Sequence, residues 1–166
     1  LSMVNFQTLI ASKAARVGQA ARGKNFVDFG TRRAHGPEAG ELVARASFIA
    51  GSSGTSNTEA GRQLGIPVLG TFAHSWVMSF EDEDEAFRQY TAAFPDTTTL
   101  LIDTYDTVKA AERIVAQEMP CRAVRLDSGD LTELSKQVRA VFDAGGRNEI
   151  KIVASNDLNE EKIDAM

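Results

Sequence analysis

The chain has 166 residues, 43 % of them hydrophobic and 25 % charged, and a formal net charge of −5. That is an ordinary globular composition, and an acidic balance gives no reason to expect a nucleic-acid partner. No apolar run approaches the roughly 20 residues that span a bilayer, so no membrane association is expected. The start, Leu1 to Phe6, has neither the basic region nor the cleavage signature of a secretory signal.

The single cysteine, Cys121, cannot build a disulfide framework, which suits a reducing compartment such as the cytoplasm. Cys121 follows Pro120 just ahead of an apolar run, where packing is a better account than nucleophilic chemistry. The chain begins and ends inside helical patterns, whereas domains usually end in exposed linkers. It is therefore expected to be a piece of a longer protein.

Phe6, Leu9, Ile10, Ala14 and Val17 fall at helical spacing and predict a helix over Phe6 to Ala21. Asn25 to Gly30 is short, apolar and β-like, and Pro37 opens a second helix to Arg45 in the first-turn position that proline favours. The alternation then repeats. Strands are predicted at Ala46 to Ala50, Pro67 to Thr71, Thr99 to Asp103, Ala123 to Asp127 and Ile150 to Ala154. The helices between them are predicted within Ser52 to Leu64, Asp82 to Phe94, Thr107 to Gln117 and Leu131 to Ala144, with a last one cut short at the end of the chain.

Six strand–helix units in alternation predict an α/β fold with a parallel sheet. Continuous apolar strands such as Thr99 to Ile102 fit burial on both faces. Nearly every predicted strand finishes in polar residues: Asp28, Ser52 and Ser53, Thr71, Asp103, Asp127 and Ser128, and Ser155 to Asp157. Barrels gather their active sites from many carboxyl ends, whereas open sheets use one switch point. The pattern favours a (β/α) barrel, left incomplete because a closed one needs about eight strands.

Five constellations carry chemistry. In Asp28 to Gly36, the adjacent Arg32 and Arg33 offer guanidinium forks for phosphate oxygens, and Phe29 offers a stacking surface. A solvated loop with arginines paired to Asp28 or Glu38 is the plainer alternative. Gly51 to Glu59 is a Gly/Ser loop at a helix start, suited to an anion on backbone N–H groups; Ser56 to Glu59 also reads as a capping box. His74 stands just past a strand end beside hydroxyls, where a neutral imidazole can act as nucleophile or base. Arg125 and Asp127 share one side of their strand by alternation and suit a phosphate, a ribose hydroxyl or Mg²⁺, or else a mutual ion pair. Ser155, Asn156 and Asp157 close the last strand, where they bind hydroxyls or cap a helix. Neither a Walker loop, a Gly-x-Gly-x-x-Gly string nor a His/Cys metal cluster is present.

Taken in order, Asp28-Phe29-Gly30-Thr31-Arg32-Arg33-Ala34-His35-Gly36-Pro37, Gly54-Thr55-Ser56-Asn57, Gly65-Ile66-Pro67-Val68, Gly70-Thr71 with Ala73-His74-Ser75, Arg125-Leu126-Asp127-Ser128-Gly129-Asp130 and Ser155-Asn156-Asp157-Leu158 resemble the nicotinate phosphoribosyltransferase family. Several strings in the right order are far more specific than any one alone.

The resemblance implies an irregular (β/α) barrel of the type II phosphoribosyltransferase kind, with residues 1–166 as its central part and flanking parts absent. It implies synthesis of nicotinate mononucleotide from nicotinate and phosphoribosyl pyrophosphate in NAD salvage, coupled to ATP through a phosphohistidine, with Mg²⁺. A cytoplasmic homodimer is implied for the complete enzyme. By position, the resemblance makes His74 the phosphorylated histidine and puts Thr71 and Arg125 at nicotinate. Phe29 stacks on the pyridine, Arg32 meets diphosphate, and Asp127, Asn156 and Asp157 lie at the ribose. Which arginine meets carboxylate and which diphosphate stays open, as do the metal ligands and the role of His35. The related nicotinamide enzymes carry an aspartate where this chain has Ser56, which favours nicotinate over nicotinamide. Nicotinamide phosphoribosyltransferase, or a silent phosphate-binding barrel piece, are the rival expectations.

Overall fold

The computed structural model describes residues 2–166, with side chains from Val4 onward. It divides into two compact units: one of residues 1–70 with 158–166, the other Thr71–Asp157. Among the described residues, no helix is long and apolar enough to cross a membrane.

The first unit contains α1 (Ser2–Ala20), a 3₁₀ turn (Thr31–Arg33), α2 (Pro37–Ile49), α3 (Thr58–Leu64) and α8 (Glu160–Asp164). Gly36, at φ 105°, delivers Pro37 into the first turn of α2, where proline's missing N–H costs nothing. The strand predicted at Ala46 to Ala50 is not one: α2 runs through to Ile49. Gly40, Ala44 and Ser47 recur at helical spacing and are buried, and a short apolar run cannot by itself distinguish strand from buried helix.

The extended segment comes later. Asp28 and Val68 each form a parallel bridge to Thr55, which is fully buried. Flanking bonds complete the three-stranded arrangement, including Ser56 N–H to Asp28 O at 2.8 Å and Leu69 N–H to Thr55 O at 3.0 Å. Gly54 makes this approach possible, since a Cβ there would sit 2.5 Å from the Pro67 carbonyl oxygen. The expected capping box does not form, since the residue three beyond the observed cap is Ala60. Asn57, not Ser56, caps α3, its side chain accepting from Ala60 N–H at 2.9 Å.

The second unit holds α4 (His74–Val77), α5 (Glu83–Ala93), β1 (Thr99–Leu101), α6 (Thr107–Ala116), β2 (Ala123–Leu126), α7 (Leu131–Ala144) and β3 (Lys151–Ala154). The strands pair in the order β1-β2-β3, all parallel. Thus three of the six predicted positions are regular strands, and two more, around Asp28 and Val68, are extended segments joined by single bridges.

Aspartates start the connecting helices. Asp106 accepts from Lys109 N–H and Asp130 from Glu133 N–H, satisfying donors that a helix leaves unpaired. The core under the sheet contains Phe87, Leu100, Leu101, Ile102, Ile114, Val124, Leu126, Val138, Phe142 and Ile150, all fully buried. The Phe87 ring also meets Phe72, centroids 6.3 Å apart. Phe87→Ala is expected to destabilise this unit by about 3–5 kcal/mol, read as a lowered urea midpoint with little change in slope; a midpoint shift worth less than about 1 kcal/mol would contradict this packing.

Candidate active site

Because β1, β2 and β3 are parallel, their carboxyl ends lie at one end of the sheet, and a polar residue follows each: Asp103, Asp127 and Ser155. Side-chain bonds take over where strand pairing stops. The Asp103 carboxylate accepts from Asp127 N–H through Oδ2 at 2.9 Å, and the same oxygen accepts from the Ser128 hydroxyl. Ser155 N–H continues the ladder to the Leu126 carbonyl at 2.9 Å.

Arg125 is at the centre. It lies on β2 between buried neighbours and turns its guanidinium toward the strand ends. Nε donates to Ser155 Oγ at 2.9 Å, Nη1 to Thr71 Oγ1 at 3.0 Å and Nη2 to Asp127 Oδ1 at 2.7 Å. The shared side expected of Arg125 and Asp127 is therefore observed, and it takes the form of an ion pair. Burial raises the pKa of Asp127, but hydrogen bonds from Ser155 and Arg125 and the charges of Arg125 and His74 outweigh it. The net result holds the carboxyl below its ordinary range.

His74 opens α4. Its Nδ1 lies 3.1 Å from Thr104 Oγ1. Nε2 faces Asp103 Oδ1 at 3.9 Å and Asp127 Oδ2 at 3.8 Å. The ring is 37 % exposed, while the Asp103 side chain is 1 % exposed. Asp103 Oδ1 has no hydrogen-bond partner, so a buried carboxylate oxygen faces the imidazole at 3.9 Å, about 1 Å beyond hydrogen-bond length. Such a set can stabilise positive charge on the ring and hold the proton on one nitrogen while the other reacts.

Asn156 and Asp157 are exposed just beyond β3, with φ 108° and 47°. Such backbone is uncommon outside glycine and is tolerated best by Asn and Asp. Thr71, His74, Arg125 and Asp127 are thus brought together in one unit, with Asn156 and Asp157 next to Ser155. Asp103 and Ser155, noted above only as polar strand ends, join the set, and Thr104 completes it without having been named. Their signal was the polar strand end, shared with the capping aspartates Asp106 and Asp130, which serve the helices.

Phe29, Arg32 and Ser56 belong to the first unit. There Asp28 Oδ1 accepts from Gly30 N–H at 2.8 Å and Oδ2 from the Thr55 hydroxyl at 2.8 Å. Asp28 therefore ties the turn after Phe29 to the segment just before Ser56, and Arg32 is exposed on the 3₁₀ turn. Burial pushes the Cys121 thiol up to about 11, consistent with a packing role. Among the described residues no group of three or more His, Cys, Asp or Glu is arranged to hold a metal ion.

The model of the nicotinate phosphoribosyltransferase (NAPRTase) family matches residues 24–166. The chain belongs to the nicotinate phosphoribosyltransferase family. Within this family it is 48 % identical to nicotinate phosphoribosyltransferase pncB2 of Mycobacterium tuberculosis over 172 residues, covering 100 % of this chain and 37 % of that protein. With nicotinate phosphoribosyltransferase of Bacillus subtilis, identity is 45 %, over 98 % of this chain and 34 % of the relative. The chain therefore spans little more than a third of these curated relatives.

Among solved structures, nicotinate-nucleotide pyrophosphorylase from Pyrococcus furiosus superposes with TM-score 0.88 at 28 % identity, over 97 % of this chain and 43 % of that one. Human nicotinic acid phosphoribosyltransferase gives 0.81 at 28 %, over 96 % and 44 %.

Proposed function

We propose that the protein carrying this chain makes nicotinate mononucleotide and pyrophosphate from nicotinate and phosphoribosyl pyrophosphate, and couples this to ATP through phosphorylation of His74. The observation that carries the reading is His74 Nε2 at 3.8 Å and 3.9 Å from Asp127 and Asp103, with Asp127 tied to Arg125. Membership of the family supports the substrates, and the shared end of three parallel strands supports a (β/α) barrel site of which this chain supplies the central part.

In this reading an imidazole nitrogen of His74 attacks the γ-phosphate of ATP, and ADP departs. The second ring nitrogen keeps its proton toward an acceptor, a role for which Asp103, Asp127 and Thr104 are at hand. Arg125, held by Thr71, presents N–H donors to the nicotinate carboxylate, and Arg32 pairs with diphosphate oxygens. Phe29 stacks on the pyridine. Asp127, Asn156 and Asp157 orient the ribose while its anomeric carbon acquires oxocarbenium character. The pyridine nitrogen attacks that carbon from a fixed position, and charge on the departing pyrophosphate is met by guanidinium groups.

Among the described residues no donor set is arranged for a metal ion. In this reading Mg²⁺ enters with the nucleotide and diphosphate substrates, held largely by their oxygens and by water.

Ser56 carries the acid-against-amide choice. A hydroxyl donates to a carboxylate, whereas an aspartate at that position repels it and accepts from an amide. In the full-length protein, Ser56→Asp is expected to lower kcat/KM for nicotinate by on the order of 100-fold, the scale of leaving one buried polar group unsatisfied, with a far smaller loss for nicotinamide. Equal losses for the two substrates would overturn the assignment.

A further inference from the structure

The two oxygens of Asp127 are used differently. Oδ1 accepts from Arg125 Nη2 at 2.7 Å and from Ser155 Oγ at 2.6 Å. Oδ2 faces His74 Nε2 at 3.8 Å. The Nε and Nη2 of an arginine are the natural two-pronged partner of a carboxylate, yet only Nη2 is paired with Asp127. Nε donates instead to Ser155 Oγ at 2.9 Å.

The serine hydroxyl has one proton and two acceptors within reach, Asp127 Oδ1 at 2.6 Å and the Leu126 carbonyl at 3.2 Å. The shorter, charged acceptor takes it. The result is a closed ring of bonds: Arg125 Nε to Ser155, Ser155 to Asp127 Oδ1, and Arg125 Nη2 to the same oxygen. The ring holds the carboxylate by one oxygen.

We propose that Ser155 is a positioning residue: by occupying Arg125 Nε it prevents Asp127 from closing a two-pronged pair with the guanidinium, and so keeps Oδ2 turned toward His74. The hydroxyl thereby links the arginine that meets the anionic substrate to the histidine that takes the phosphoryl group. This role rests on the function proposed above.

Without the hydroxyl, Asp127 rotates onto both Nε and Nη2, and His74 loses one of its two carboxylate neighbours. Arg125 keeps its charge, its Thr71 contact and its place on β2. The expected signature is therefore a split. In the full-length protein, Ser155→Ala lowers ATP-dependent phosphorylation of His74 on the order of 100-fold, the scale of a misplaced catalytic group, while KM for nicotinate stays within about 2-fold, as expected when uniform binding is kept. Ser155→Thr restores phosphorylation. Ser155→Cys, close in volume but a poor hydrogen-bonding group, behaves as the alanine variant and guards against a packing artefact.

A crystal structure of Ser155→Ala or Ser155→Cys supplies a readout independent of activity, with both Asp127 oxygens expected on Arg125 Nε and Nη2. An unmoved carboxylate overturns the proposal. So does a rotated carboxylate with unchanged phosphorylation, or a parallel loss of phosphorylation and nicotinate affinity that threonine does not rescue. If the unaltered protein forms no nicotinate mononucleotide, the functional reading fails, and the carboxylate's position in the variant still decides whether Ser155 controls Asp127.

Discussion

His74→Ala is expected to abolish both acid-labile phosphate on the protein and the stimulation of nucleotide synthesis by ATP. The variant removes the one imidazole that faces two carboxylates, Asp103 and Asp127, at 3.9 Å and 3.8 Å. The other histidine, His35, is exposed beside the 3₁₀ turn of the first unit. The fold should survive. His74 is 37 % exposed, and its contact with Thr104 is a single hydrogen bond worth about 1 kcal/mol. Labelling with γ-³²P ATP followed by acid and base treatment distinguishes phosphohistidine from phosphoserine. Label retained in the variant, or transferred to His35, would mean that the nucleophile lies elsewhere.

Arg125→Ala is expected to damage binding and stability together. Its side chain and that of Asp127 are 15 % and 21 % exposed, so the variant leaves a partly buried carboxylate without its counter-charge and strands Thr71 and Ser155. Breaking such a pair costs about 3 kcal/mol, visible as a lowered urea midpoint. Arg125→Lys keeps the charge but cannot reach three partners with a fork. It should therefore retain more stability than alanine while raising KM for an anionic substrate. Unchanged KM for both substrates in the lysine variant would reject an anion-binding role.

The same pair sets an acid limit. The folded pKa of Asp127 is depressed. The ionised, paired form therefore contributes stability that is fully present above the unfolded aspartate value of about 3.9 and is lost as pH falls through the lower folded value. In Arg125→Ala this contribution is reduced, so stability measured from about pH 5 down to pH 2 should fall less steeply than in the unaltered protein.

Much of this was legible because parallel strand–helix units write themselves twice, in apolar runs and in the polar residues that follow. α7 was bounded correctly from Leu131 to Ala144 because Asp130 is an unambiguous cap and the glycine after Ala144 a clear stop. The strand expected at Ala46 to Ala50 failed because the run is the end of α2: Ala46 and Ser47 are buried, while the apolar Phe48 and Ile49 that suggested a strand are exposed. The true extended segment around Thr55 is polar and small, the opposite of a buried-strand signal.

In the site, the shared side of Arg125 and Asp127 followed from strand alternation. Asp103 did not stand out, because its importance lies in burial and in aiming one oxygen at His74, neither of which is written in the residues beside it. Ser155 likewise becomes meaningful only when register brings β3 beside β2.

The central claim is phosphoribosyl transfer to nicotinate, and product analysis tests it most directly. The full-length protein is incubated with phosphoribosyl pyrophosphate, Mg²⁺ and equal nicotinate and nicotinamide, with and without ATP, and the nucleotides are separated by chromatography with mass detection. The account predicts nicotinate mononucleotide formed one for one with pyrophosphate, accelerated by ATP, with little nicotinamide mononucleotide. Absence of any pyridine nucleotide, or preferential formation of nicotinamide mononucleotide, would contradict it.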